Sequence, residues 1–543
     1  AAIKLRLSTN KSDRDSFSIH ADGKTLEITG ANQRSLFYGV YALLESNLGC
    51  RFYNPAEEYV PKLVNWQIPS HLDIGETAVF RSRQIRLEWD QNGSMTSWAA
   101  KCRFNMVSMD FWLWDQAGGS SIRRMAEQRG MDMGGSGHGM FYFLQASSYF
   151  AAHPEWYPEV KGQRVPAKNT GDNICYSNPD ARAELIRNLV KFCHQHPYLS
   201  TINLWPGDGG LVCQCQQCRA HSMMENFGVL VAEAKAALAK SCPQVKFVFL
   251  AYNYDLADKK AESLRPPASA ASTPAMFAFW GQNLSMPLES NAEPGHRLVL
   301  DYLSTYARTN PGKASVFTYY TDTYMNSDLC PLFLNSMPAD LKLYHRLGIE
   351  ELCLLWIPWN SESNQWTEDV ATQNASLMGH LMMNPNCQPD TLFRPGTQAL
   401  QQKLNGILCK LSAIVFPFAP PRAVDAWGCG FCRDVMKWEP LPERRKLDEQ
   451  RLQLFRQADD DLKALVAQLP ASPDSNTRQL CSYIRYCSVR AAGLRCIFEA
   501  QIAIHDHQWA AAASWLERAL ATHMPDEQAQ TSMWLQRVKA LAK

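Results

Sequence analysis

The chain has 543 residues, 46% hydrophobic and 20% charged, the balance of a globular protein too long for one core, so about three domains are expected. With 54 basic and 53 acidic side chains the net charge is +1, which leaves no basic excess for a phosphate backbone and argues against a nucleic-acid partner. No apolar run reaches the roughly 18 residues that a membrane span needs.

The first segment, residues 1–78, reads as a small α/β domain. Two alternating runs, Phe17–His20 and Thr25–Thr29, flank Asp22-Gly23, a hairpin turn signal. Asn32–Ser46 then places Leu36, Val40, Leu43 and Leu44 on one helical face, and Gly49 closes it. The chain starts in a strand-like run, Ile3-Lys4-Leu5-Arg6-Leu7, with no signal peptide visible. We expect a periplasmic or cell-surface protein whose export signal has been trimmed.

Over residues 79–392 short apolar strands alternate with helical stretches, the pattern of βα units around a parallel sheet. Eight strands are expected: Gln84–Trp89, Asn105–Met109, Gly130–Met133, Thr201–Trp205, Lys246–Ala251, Met276–Phe279, Ser315–Tyr320 and Glu351–Trp356. Eight strands in this length fit a (β/α)₈ barrel. The longest loop, from about 134 to 178, is rich in aromatics, which favours a functional role. Residues 393–543 are helical throughout and read as a helical bundle packed on the barrel.

Catalytic residues of such barrels project from the C-terminal strand ends. The ionisable residues there are Glu88, Asp90, Asp110, Asp132, His138, Asp208, Asp255, Asp322 and Glu362, while no G-x-S-x-G nucleophile motif is present. Paired carboxylates are what glycosidic cleavage needs, although rim carboxylates also cap the helices that follow. Asp208 is distinctive, set among Gly207, Gly209 and Gly210 directly after Trp205-Pro206. Glycines there permit unusual backbone conformations and close approach of a ligand; a plain Gly-rich turn is the simpler structural reading. His138 also lies between glycines. Trp89, Trp112, Trp114, Tyr252, Trp280, Tyr319, Tyr320, Trp356 and Trp359 are candidates for stacking on sugar rings, with about half of them expected to be barrel core. Of these, Tyr252, Tyr320, Trp356 and Trp359 join His138 and Trp205 as the expected substrate-binding set.

The chain has 17 Cys, an odd number, so at least one lies outside any intrachain disulfide. Cys213, Cys215 and Cys218 resemble half of a structural zinc knuckle, with His221 within reach. A disulfide and free packed thiols remain alternatives, and Cys429/Cys432 form a second C-x-x-C. A catalytic metal is not expected, since nothing like H-E-x-x-H accompanies the cluster. No cofactor is expected beyond that structural zinc.

Several motifs together carry a resemblance. Ile28-Thr29-Gly30-Ala31, Tyr38-Gly39-Val40-Tyr41 and Leu48-Gly49-Cys50-Arg51-Phe52-Tyr53 with Pro61 resemble the small domain that precedes the barrel in α-glucuronidases and β-hexosaminidases. Gly137-His138, Tyr149-Phe150, His153-Pro154-Glu155-Trp156, Cys175-Tyr176-Ser177-Asn178-Pro179, Trp205-Pro206-Gly207-Asp208-Gly209 and Leu381-Met382-Met383-Asn384-Pro385 resemble the bacterial family 4838 of unknown function. Part of that family is classed as glycoside hydrolase family 163, endo-β-N-acetylglucosaminidases of gut Bacteroidota acting on complex N-glycans. The likeness covers roughly residues 16 to 395. It implies a retaining, substrate-assisted cleavage of β-linked N-acetylhexosamine, with Asp208 as one carboxylate. β-Hexosaminidases carry two adjacent acids after strand four. Asp208 has no acidic neighbour, so its partner comes from another strand, with Glu362 and Glu88 as candidates. The competing readings are a glycosidase for another sugar such as a uronic acid, a non-catalytic glycan-binding protein, and a zinc-dependent hydrolase built on the cysteines.

Overall fold

The computed structural model describes residues 2–9, 12–63, 65–88, 90, 92–208, 211–253, 265–280, 282–292, 294–322, 329–356, 364–387, 394, 396–415, 442–474, 477–522 and 525–542. The N-terminal layer is a four-stranded sheet of β1 (Ala2–Leu7), β2 (Ser16–Ala21), β3 (Thr25–Gly30) and β6 (Leu72–Thr77), in the order β1-β3-β2-β6. The expected hairpin is present. Gly23 takes φ +83°, and the Asp22 carboxylate accepts from the Lys24 and Thr25 amides at 2.9 and 2.7 Å. The helix Gln33–Ser46 is capped by Asn32, whose side chain accepts from the Ser35 amide. It lies close against the sheet because Gly39 has no side chain: a Cβ there would stand 2.5 Å from Ile28 Cγ2. A short hairpin, β4 (Arg51–Asn54) and β5 (Glu57–Tyr59), follows.

Eight parallel strands then close into a barrel. They are β7 (Ser82–Leu87), β8 (Met106–Asp110), β9 (Asp132–Gly137), β12 (Thr201–Leu204), β13 (Lys246–Asn253), β14 (Ala275–Phe279), β15 (Ala314–Thr318) and β16 (Glu351–Trp356), with β16 pairing back onto β7. Between β9 and β12 the long loop carries a two-stranded hairpin, β10 (Glu159–Val160) and β11 (Gln163–Arg164). All eight expected strands exist, so the (β/α)₈ fold class holds. One boundary differs in a way that matters. The third strand begins at Asp132 and not at Gly130, because Gly134, Gly135 and Gly137 hide its alternation. Those glycines leave room for neighbours: a Cβ on Gly134 would meet Met106 Cε at 2.7 Å. Asp132 therefore sits at the entering end of its strand, where it pairs with Arg34 at 3.0 Å, away from the C-terminal rim.

The barrel interior is polar for much of its height. Lys246 pairs with Glu351 near the bottom, and Gln84, Ser108, Ser136 and Asn203 are buried above them. The C-terminal region stacks helices Gln398–Val415, Pro442–Ala467, Arg478–His505, Trp509–Leu520 and Pro525–Leu541 on one another, and Arg478–His505 packs on the last barrel helix, Asn364–Met383. The two regions share one continuous apolar core, and the Tyr483 hydroxyl donates to the Cys330 carbonyl at 2.9 Å across the junction.

The N-terminal sheet is tied to the barrel through Asp15. Its buried carboxylate accepts from Arg83 at 2.7 Å, Arg34 at 2.8 Å, Asn32 at 2.8 Å and Asn105 at 3.0 Å. Burial alone would raise its pKa, but the Arg83 and Arg34 charges outweigh it and hold the carboxyl well below its ordinary value. The resulting stabilisation is present at neutral pH and is lost as pH falls below the unfolded value of about 3.9. Asp15→Ala leaves the fully buried Arg83 without its counter-charge and is expected to cost about 3–5 kcal/mol. Denaturant unfolding at pH 7 and pH 3 checks this: the deficit should be large at the first and shrink at the second.

Candidate active site

The mouth of the barrel is organised around Arg86, on the inward face of β7. Its guanidinium is buried, donating from Nη1 to Glu88 Oε1 at 2.8 Å and from Nη2 to Asp110 Oδ1 at 2.6 Å. It also stands 4.6 Å from the centre of the Trp205 ring, a cation–π contact. Burial would lower the Arg86 pKa, but the two carboxylates reverse this and raise it. Asp110 behaves oppositely. Burial pushes its carboxyl up, and the opposing pull of Arg86 does not fully compensate.

Asp110 can occupy this position only because Gly137 ends the neighbouring strand. Gly137 has φ +129°, and a Cβ there would lie 2.2 Å from Asp110 Oδ1. His138 follows directly. Its Nδ1 donates to the Pro206 carbonyl, which fixes the proton on that nitrogen, since a carbonyl only accepts. Its Nε2 then faces Asp208 Oδ1 at 3.8 Å. The Tyr252 hydroxyl donates to the same Oδ1 at 2.8 Å. Asp208 keeps 41% of its side chain exposed, whereas His138 keeps 12%. The result is a carboxylate oriented from one side and open on another.

The segment bearing Asp208 is clamped by the long loop after β9. The Gly207 amide donates to Asn173 Oδ1 at 2.7 Å, and the Asp208 amide donates to the Thr170 carbonyl at 3.0 Å. The Tyr176 hydroxyl donates to the same Asn173 oxygen at 2.6 Å. Gly207 is required by close approach, not by an unusual φ: a Cβ would lie 2.6 Å from the Gly171 carbonyl oxygen. Asp172 accepts from the Leu211 and Lys168 amides at 3.2 and 2.8 Å, closing the clamp.

The structure thus brings together Asp208, His138, Tyr252, Trp205 and Glu88 from the expected set. It adds Arg86, one of two arginines in β7 that the strand pattern does not single out, and places the stacking candidate Tyr319 there as a buried phenol held well above its ordinary pKa, first by burial and then by the Asp208 and Asp322 charges. Trp205 forms part of the floor: it is buried, with His138 and Phe317 rings edge-on to it at 4.9 and 5.3 Å. Two expectations are corrected. Tyr320 points outward from the barrel and donates to Asp340 Oδ2 at 2.7 Å. Trp356 also faces outward and packs at 6.3 Å from Trp98. Both are fully buried, because alternation along a strand sends the residue next to an inward one into the helical layer. Asp90 is a helix cap, accepting from the Thr96 amide at 2.9 Å. Glu362, Trp359, Trp89, Asp255, Gly209, Gly210, Cys429 and Cys432 lie outside the described residues.

With this geometry in view, comparison with known proteins gives the family. Residues 52–395 match the model described as domain of unknown function DUF4838. The chain belongs to that family. A search of curated proteins finds no match. Among solved structures, it is similar to a family 138 glycoside hydrolase targeting pectin rhamnogalacturonan II, at TM-score 0.52 and 10% identity over 99% of this chain and 69% of that one. It is similar to a family 115 4-O-methyl-α-glucuronidase with specificity for decorated arabinogalactans, at TM-score 0.52 and 12% identity over 96% and 68%. A family 89 enzyme from Clostridium perfringens, solved with its substrate GlcNAc-α-1,4-galactose, matches at TM-score 0.51 and 10% identity over 96% and 62%. These structural neighbours are glycoside hydrolases acting on various sugars, and at such identities the likeness is one of fold.

Gly137→Ala tests the packing at the mouth. The added methyl must displace Asp110 from Arg86, in a backbone region that costs a non-glycine residue about 1–3 kcal/mol. A fall in the thermal midpoint is expected, together with a shifted Asp110 side chain in a crystal structure of the variant. An unchanged midpoint and an unmoved Asp110 would remove the steric argument.

Proposed function

We propose that this DUF4838 protein is a glycoside hydrolase that cleaves β-linked N-acetylhexosamine in glycans such as N-glycans, by the retaining, substrate-assisted route of family 163-like enzymes. The observation that carries the reading is Asp208 itself: a part-exposed carboxylate at the C-terminal mouth of a (β/α)₈ barrel, oriented by Tyr252 and faced by His138. Paired carboxyl groups at such a mouth suit glycosidic cleavage.

In this chemistry the substrate's acetamide oxygen attacks the anomeric carbon, and the glycosidic C–O bond breaks. Asp208 accepts the acetamide N–H and supports the positive charge that develops on the resulting oxazolinium. A second carboxylic acid gives its proton to the leaving oxygen. As a carboxylate it then takes a proton from the water that opens the oxazolinium, which restores the acetamide and keeps the configuration. Among the described residues Glu88 is the candidate for that second group. It keeps 29% of its side chain exposed and is aimed by Arg86. Asp110, nearly covered and also bound to Arg86, sets the charge beneath.

Asp208→Asn should lower turnover of a β-N-acetylglucosaminide by about 10²–10⁴-fold while leaving binding of the glycan intact. Glu88→Gln should do the same on substrates with a poor leaving group and less on an activated aryl glycoside. A thiazoline inhibitor should bind the wild-type chain. Unchanged turnover in Asp208→Asn would sink the assignment. Cleavage of glucuronides without thiazoline binding would move the substrate to a uronic acid.

A further inference from the structure

Four cysteines from two separate loops meet beside the Asp208 segment. Cys175 ends the long loop after β9, and Cys213, Cys215 and Cys218 follow β12. All four are buried, and their sulfurs lie within 4.8 Å of one another. Cys175 Sγ is 3.8 Å from Cys215 Sγ and 3.9 Å from Cys218 Sγ. Four thiolates placed tetrahedrally about a zinc ion, each about 2.3 Å from it, stand about 3.8 Å apart. All four are free thiols. The fourth sulfur that the sequence lacked near the C-x-C-x-x-C run is Cys175, not His221.

We propose that Cys175, Cys213, Cys215 and Cys218 bind a structural Zn²⁺ that staples the long β9 loop to the segment carrying Asp208. The surroundings suit a thiolate centre. A Zn²⁺ with four thiolates has a net charge of −2, which needs donors around the sulfurs. The Glu159 amide points to Cys213 Sγ at 3.4 Å, the Cys218 amide to Cys215 Sγ at 3.5 Å, and Arg164 Nη1 to Cys213 Sγ at 3.7 Å. The Ser177 hydroxyl stands 3.2 Å from Cys218 Sγ, 3.4 Å from Cys175 Sγ and 3.5 Å from Cys215 Sγ. A packed cluster of neutral thiols has no need of a guanidinium and two amides. The donors come from the β10–β11 hairpin and from the first turn of Gln216–Arg219, so the elements that build the centre are also those it holds. With all positions filled by sulfur the ion has no open site, and its role is positioning.

The test reads metal rather than turnover, so it stands or falls separately from the glycosidase reading. The full chain, purified without chelator, should contain about one zinc per chain by elemental mass spectrometry. Cys175→Ser and Cys218→Ser should each fall to background, while Cys496→Ser, outside the cluster, keeps its zinc. Should the cluster variants fail to fold, a mercurial added to wild-type protein with a zinc-indicator dye should release the same equivalent. Cobalt-substituted wild type should then show the thiolate charge-transfer bands of a tetrahedral centre. Wild-type protein with no bound metal, or zinc undiminished by Cys175→Ser, or cobalt protein lacking those bands, overturns the site.

Discussion

A guanidinium buried inside a barrel is expensive, and the mouth of this one is arranged around that cost. Arg86 is taken from water and must be compensated by charge and hydrogen bonds. Asp110 and Glu88 supply both, and the face of Trp205 covers part of what remains. Each partner constrains a different strand. Asp110 fixes the end of β8 and demands a glycine at 137. Gly137 sets the turn that delivers His138. His138 grips the Pro206 carbonyl and so fixes the approach to Asp208. The position of Asp208 is thus coupled to Arg86 through three strand ends, each link being a contact of a few ångströms.

From its other side Asp208 is held by the loop after β9. Such a length of irregular chain needs polar partners for its backbone. The Asn173 side chain provides one, accepting from the Gly207 amide and from the Tyr176 hydroxyl. Asp172 provides another by accepting two amides. The loop is therefore tied down where it meets Asp208, which is what a site needing a defined carboxylate position requires. A metal centre at Cys175 would fix the far end of the same clamp, two residues beyond Asn173.

The sequence made the architecture readable because strand and helix periods differ. Glu351–Trp356 is an apolar run of strand length, and it is a strand with those bounds. Glycines defeated the same logic in β9, since a strand that buries backbone instead of side chains shows no alternation. Side-chain direction at strand ends was the other weak point. Tyr319 and Tyr320 are neighbours and both aromatic, yet one faces the mouth and the other Asp340. Only the register of the closed barrel separates them. Cys175 lies 40 residues from Cys215 along the chain, and only the fold of the long loop makes them adjacent.

The absence of an acidic neighbour beside Asp208 also has a geometric answer. The barrel order runs β7-β8-β9-β12 before continuing to β13. Residues following β7 and β12 are three strands apart in a ring of eight, so they look at each other across the mouth. Two adjacent acids on one strand end approach a sugar from the same side. Acids on strands that face each other can flank it instead, one at the ring substituent and one at the leaving oxygen. Arg86 lies between these positions, bound to Glu88 directly and to Asp208 through Trp205 and His138. A fixed positive charge there offsets part of the repulsion between two carboxyl groups that share one mouth. In the proposed chemistry, Glu88, just after β7 and held in place by Arg86, takes the part of the neighbour that Asp208 does not have.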